Sequence, residues 1–188
     1  MSAPDEKRIR EVVRDVVERH LASAPAAPPR STSSDVRRVA VGSDHGGFAL
    51  KQIIASFVRD ELGWEVEDCG THSTDAVDYP DFAAAVARAV ASGRCSRGVV
   101  IDAAGIGSTM AANKVAGIRC ALCHDDLTAL NARQHNDANV MALGARVVNR
   151  GLAQRLVRLF LTTAFEGGRH ERRVLKIMLL ERGGATGA

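Results

Sequence analysis

The chain has 188 residues, 46% of them hydrophobic and 25% charged, with a formal net charge of +3. That is enough for one domain with a substantial core and little besides. A charge this small, with aromatics at only 4%, argues against a nucleic-acid partner held by phosphate contacts and base stacking.

Residues 1–22 predict an amphipathic helix. Ile9, Val12, Val13, Val16, Val17 and Leu21 recur at helical spacing on an otherwise charged cylinder. Pro25, Pro28 and Pro29 among small polar residues then read as a flexible linker over residues 23–36. From residue 37 the pattern alternates. Strand-like segments at 37–43, 64–70, 97–103, 118–124 and 138–144 are separated by helix-like ones at 48–62, 81–93, 108–117 and 126–136. Two more helical stretches follow at 151–165 and 171–181, within a domain expected over 37–182, and residues 183–188 read as a tail. Strands apolar on both faces, alternating with helices, predict an α/β doubly wound parallel sheet of about five strands. Ligands of such sheets bind beyond the carboxyl ends of the strands.

No apolar run is long enough for a bilayer, and the opening residues do not read as a signal peptide. Cys69, Cys95, Cys120 and Cys123 do not form a disulfide framework in a chain of this size. A cytoplasmic protein without a membrane partner is expected. The string Cys120-Ala-Leu-Cys-His124 matches a haem-attachment motif. On a strand, however, Cys120 and Cys123 point to opposite faces, which argues against haem.

The strand ends select the candidate chemistry. The first ends in Ser43-Asp44-His45-Gly46-Gly47, the third at Asp102 and the Gly105-Ile106-Gly107-Ser108 loop, and the fourth at His124-Asp125. His135-Asn136-Asp137 in the loop before the fifth strand is expected to converge on the same sheet edge. The glycine loop is not a dinucleotide fingerprint, because Met110 stands where its last glycine belongs, and no P-loop lysine follows. It reads as a turn whose backbone N–H groups approach a small anion or an enediolate. Asp102 and Asp44 also imitate a phosphoacceptor site, but the fifth strand lacks the partner lysine.

Six blocks carry a resemblance: GSDHGGFALK, DCGTHS, VDYPDFA, GIGSTMAANKVAGIRCALCHD, ARQHNDANVMALGARVV and FEGGRHERRV. In this order, over about residues 38–178, they resemble the type B ribose-5-phosphate isomerases, which include the galactose-6-phosphate isomerase subunits. The resemblance implies a Rossmann-like fold, a homodimer (or a tetramer) with sites at the subunit interface, and aldose–ketose isomerisation of a sugar phosphate without metal or cofactor. It implies substrate contacts for Asp44, His45, Tyr79 and Asn136, ring opening by His135, and phosphate binding by Arg146, Arg169 and Arg173. It gives Gly105, Ile106, Gly107 and Ser108 the loop that shields the enediolate. Where the family typically places a cysteine base, this chain has Asp102, followed by Ala103-Ala104 in place of Gly-Thr. The expected base is therefore Asp102, acting on ribose 5-phosphate. The alternative is a homologue that binds sugar phosphates but has lost catalysis or changed substrate. The N-terminal helix on its linker resembles encapsulation peptides of bacterial microcompartments, which implies a shell protein as its partner.

Overall fold

The structure is a computed structural model that describes residues 37–181. The expected N-terminal helix, its linker and the short C-terminal tail lie outside the described residues. Five strands form one parallel sheet: β1 (Arg38–Ser43), β2 (Glu65–Asp68), β3 (Arg97–Asp102), β4 (Cys120–Leu122) and β5 (Val140–Gly144). Their order across the sheet is β2-β1-β3-β5-β4. Six helices alternate with them or follow them: α1 (Phe48–Asp60), α2 (Tyr79–Ala91), α3 (Ile106–Ala112), α4 (Asp126–Gln134), α5 (Arg150–Thr162) and α6 (Arg169–Leu180). The expected doubly wound fold is present, and every element predicted within the described residues has the predicted type.

The alternation of side chains along each strand divides the core in two. Val39, Val41, Val99, Ile101, Met141 and Leu143 face one side, where Ile54 and Phe57 of α1, Ala129 of α4 and Leu156 and Phe160 of α5 cover them. Ala40, Val100, Val140 and Ala142 face the other, under Ala83, Val86 and Ala87 of α2 and Ala112 of α3. Smaller residues on this second face let α2 lie close to the sheet. Cys123 belongs to the first side and Cys120 to the second, as the strand reading of that motif predicts. Both thiols are buried and free.

One buried charge was hidden by the helical pattern. Lys51 of α1 is fully buried. Its Nζ donates to both oxygens of Asp68 at 2.6 and 2.8 Å and to the Thr71 carbonyl at 2.9 Å. All three ammonium hydrogens are thereby used, the condition under which a lysine can be held inside. No described helix is long and apolar enough to cross a membrane.

Candidate active site

In a parallel sheet, the loop after a strand and the loop before it lie at opposite edges. Asp44 and His45 follow β1, Asp102 ends β3, residues 105–108 follow it, and Arg146 follows β5. These are at the carboxyl edge. His135 and Asn136 close α4 and precede β5, so they lie at the amino edge. Arg169 and Arg173 join them there, because α5 returns from the carboxyl edge and the Glu166 N–H donates to the Gln134 carbonyl at 3.1 Å. The five residues of β5 separate the two groups by about 13 Å. The expected convergence on one edge is thus corrected: within one chain the candidates form two separate groups.

The carboxyl-edge group is built around Asp102. This residue pairs in register with Gly144 and is 5% exposed. Its Oδ1 accepts the N–H of Ala104 at 2.8 Å and that of Gly105, and its Oδ2 accepts the N–H of Ser108 at 3.0 Å. The loop does form a nest of N–H groups, but the occupant is the chain's own carboxylate. Gly105 makes the turn possible. Its φ is +81°, and a Cβ there would run into Leu122 and crowd the Gly144 backbone. Gly107 lies against the Tyr79 ring, where a Cβ would fall 2.5 Å from two ring carbons. Ser108 is fully buried, and its hydroxyl has no hydrogen-bond partner.

Asp44 faces this loop from the end of β1. It is 7% exposed, and its Oδ1 accepts the Gly47 N–H at 2.9 Å, tightening the turn into α1. His45 is exposed, and its Nδ1 sits 3.2 Å from the Val77 N–H, just ahead of Tyr79. Arg146 is exposed, and its backbone N–H donates to the Ala103 carbonyl at 3.0 Å, fixing where its side chain starts. His124 and Asp125, the other strand-end candidates, have a structural role. Asp125 and Thr128 form a reciprocal capping box at the start of α4.

At the amino edge the rings of His135 and His170 stack in parallel, with centroids 4.1 Å apart. Glu166 Oε2 lies 3.6 Å from His135 Nε2 and 3.7 Å from His170 Nε2. His170 is buried, and burial lowers its pKa, with the neighbouring charges of His135 and Arg169 acting in the same direction. Arg169 and Arg173 are one helical turn apart and exposed. The Asn136 side-chain amide donates to the Asn131 carbonyl at 3.0 Å. Sequence reasoning assigned no role to Glu166 or His170. Their one visible signal was the i, i+4 spacing of an acid and a histidine in EGGRH.

The profile of the Ribose/Galactose Isomerase family matches residues 39–177, nearly the whole described body. The chain belongs to this family. Among ribose/galactose isomerase relatives, it is 46% identical over 148 residues to ribose-5-phosphate isomerase B of Escherichia coli, covering 78% of this chain and 98% of that one. The ribose-5-phosphate isomerase B of Clostridium thermocellum superposes with a TM-score of 0.76 at 51% identity, covering 78% and 98% of the two chains. The type B enzyme of Trypanosoma brucei gives 0.75 at 45% identity, covering 77% and 99%. The matched region begins at residue 39.

Proposed function

We propose that this chain interconverts a phosphorylated aldose and ketose, ribose 5-phosphate and ribulose 5-phosphate, and that it does so as a two-fold homodimer. The observation carrying the proposal is the separation of the two groups within a family of isomerases. A two-fold axis can bring the carboxyl edge of one copy against the amino edge of the other, and does so twice. Exposed apolar side chains near the loops of the carboxyl edge, Ile106, Met110, Leu127 and Val147, suit burial against a second copy.

In such a site Arg169 and Arg173 of one copy, with Arg146 and His45 of the other, hold the phosphate as charged donors. His135 assists ring opening, and Asp44, Tyr79 and Asn136 orient the open sugar. Asp102 then takes the proton from C2 and returns it to C1. Its Oδ1 already accepts two N–H groups, but Oδ2 accepts only one. A carboxylate oxygen offers two acceptor positions, so the second position of Oδ2 is the one available to the C2 proton. Geometry of this kind is the first requirement of a general base.

The same hydrogen bonds support a second reading, binding without turnover. The Ala104, Gly105 and Ser108 N–H groups that would steady an enediolate are already given to Asp102. Deuterium exchange at C2 of ribose 5-phosphate in D₂O separates the two. The isomerase reading expects exchange with wild type and its loss in Asp102→Asn. Phosphate-dependent binding with no exchange in wild type supports the second reading. For the N-terminal segment, co-localisation with microcompartment shells lost on deleting residues 1–35, with isomerisation intact, tests the encapsulation role.

A further inference from the structure

We infer that His135, Glu166 and His170 form a binding site for a divalent transition-metal ion of the Zn²⁺ type, and that an ion bound there blocks the site. Two imidazole nitrogens and one carboxylate oxygen all lie within 4.8 Å of one another. Two histidines and a glutamate are a complete donor set for a zinc ion that keeps an open position. A tetrahedral ion with bonds of about 2.0–2.1 Å spaces its ligand atoms roughly 3.4 Å apart. The two Glu166–histidine separations, 3.6 and 3.7 Å, are already close to that edge length. Closure requires the two imidazoles to turn out of their parallel stack until both Nε2 lone pairs meet at one point beside Glu166 Oε2.

The ligands differ in mobility in a way that permits this. His170 is 5% exposed, and its Nδ1 has no hydrogen-bond partner, so the polar contacts of the ring are on the Nε2 side. The His135 and Glu166 side chains are 36% and 48% exposed and can move to an ion. One group competes for the same lone pair. Arg169 Nε donates to His170 Nε2 at 3.3 Å, and an ion must displace it. Arg169 is exposed on a long side chain, so the displacement turns it into solvent. Zn²⁺ fits this nitrogen-rich set better than Mg²⁺ or Ca²⁺, which take oxygen ligands.

The block of catalysis rests on the proposed role of His135 in ring opening; the binding of the ion does not. The test uses the full-length protein with Zn²⁺ alone, followed by titration calorimetry, and Co²⁺ as a spectroscopic substitute for coordination by nitrogen and oxygen. The expectation is one Zn²⁺ per chain, with affinity falling by about tenfold or more in both Glu166→Gln and His170→Asn. Absence of binding, or equal affinity in wild type and both variants, overturns the site. Glu166→Gln, at a largely exposed position, also serves if His170→Asn fails to fold. In the activity arm, wild-type isomerisation falls with Zn²⁺ and returns on chelation, while whatever activity Glu166→Gln retains is insensitive to Zn²⁺. Zinc bound in an active wild type without inhibition overturns the blocking role. Zinc bound at these residues in a protein that never exchanges C2 upholds the site and fails the isomerase reading instead.

Discussion

Arg133 Nη1 lies 2.9 Å from Asp137 Oδ1, a guanidinium 2% exposed holding a carboxylate four residues on. Asp137 has a φ of +44°, a conformation unusual for a residue with a side chain. Its other oxygen accepts from Arg119 Nη2 at 2.9 Å. The segment between, His135 and Asn136, is therefore clamped at its far end by two arginines. Arg133 also donates to the carbonyls of Ala138 and Thr163, tying this segment to the end of α5.

Arg133→Ala would strand the buried Ala138 carbonyl and the half-buried Thr163 carbonyl and release Asp137. The expected loss is about 3 kcal/mol of stability, read from urea unfolding. Asp137→Asn keeps a residue that tolerates positive φ and should cost much less, so a ranking in the opposite order would mean the clamp is not the source of the stability.

At Gly105, alanine meets both a positive φ and the side chain of Leu122. The expected cost is about 2 kcal/mol, together with loss of the hydrogen bonds from residues 104, 105 and 108 to Asp102. Thermal unfolding and C2 exchange should both report the change. Full exchange in Gly105→Ala would show that the nest is not needed for the proton transfer.

The thiols should be inert. Burial pushes Cys95, Cys120 and Cys123 up to about 12 and Cys69 to about 11, with Glu67 adding to the shift of Cys69 and Cys95. Reaction of the native protein with a disulfide reagent at pH 7.5 should be on the order of a hundredfold slower than free cysteine. All four thiols should react once the chain is unfolded. One fast thiol would reopen a cysteine as the base.

Asp125 supplies a pH-dependent contribution whose sign is fixed. Hydrogen bonds from the Thr128 backbone and hydroxyl hold its carboxyl below the usual range. The cap is therefore fully in place above the unfolded-state value near 3.9 and is lost as pH falls through the folded one. Urea midpoints of wild type and Asp125→Ala should differ by a constant amount from pH 7 to 5 and converge below about pH 4.

The eleven elements were legible because burial on both faces writes strands as apolar runs and each helix carries a 3.6-residue stripe. Boundaries were less so: α2 begins at Tyr79, two residues before the expected start, since Pro80 suits a first helical turn. That β5 lies between β3 and β4 depends on pairing across distant residues, which no local pattern records. The strand-end rule found the carboxyl-edge group around Asp102, but the loop before β5 was wrongly read as sharing that edge. The occupant of the nest was also hidden, because it depends on the left-handed turn at Gly105 bringing three N–H groups back onto Asp102.

The separation of Asp102 from His135 along β5 has a genetic consequence. In the proposed pairing, a copy carrying Asp102→Asn and a copy carrying His135→Asn are each inactive as pure species. Mixed, they form hybrid pairs in which one site collects both lesions and the other collects none. Unfolded and refolded together in equal amounts, two dead proteins should return about a quarter of the wild-type sites.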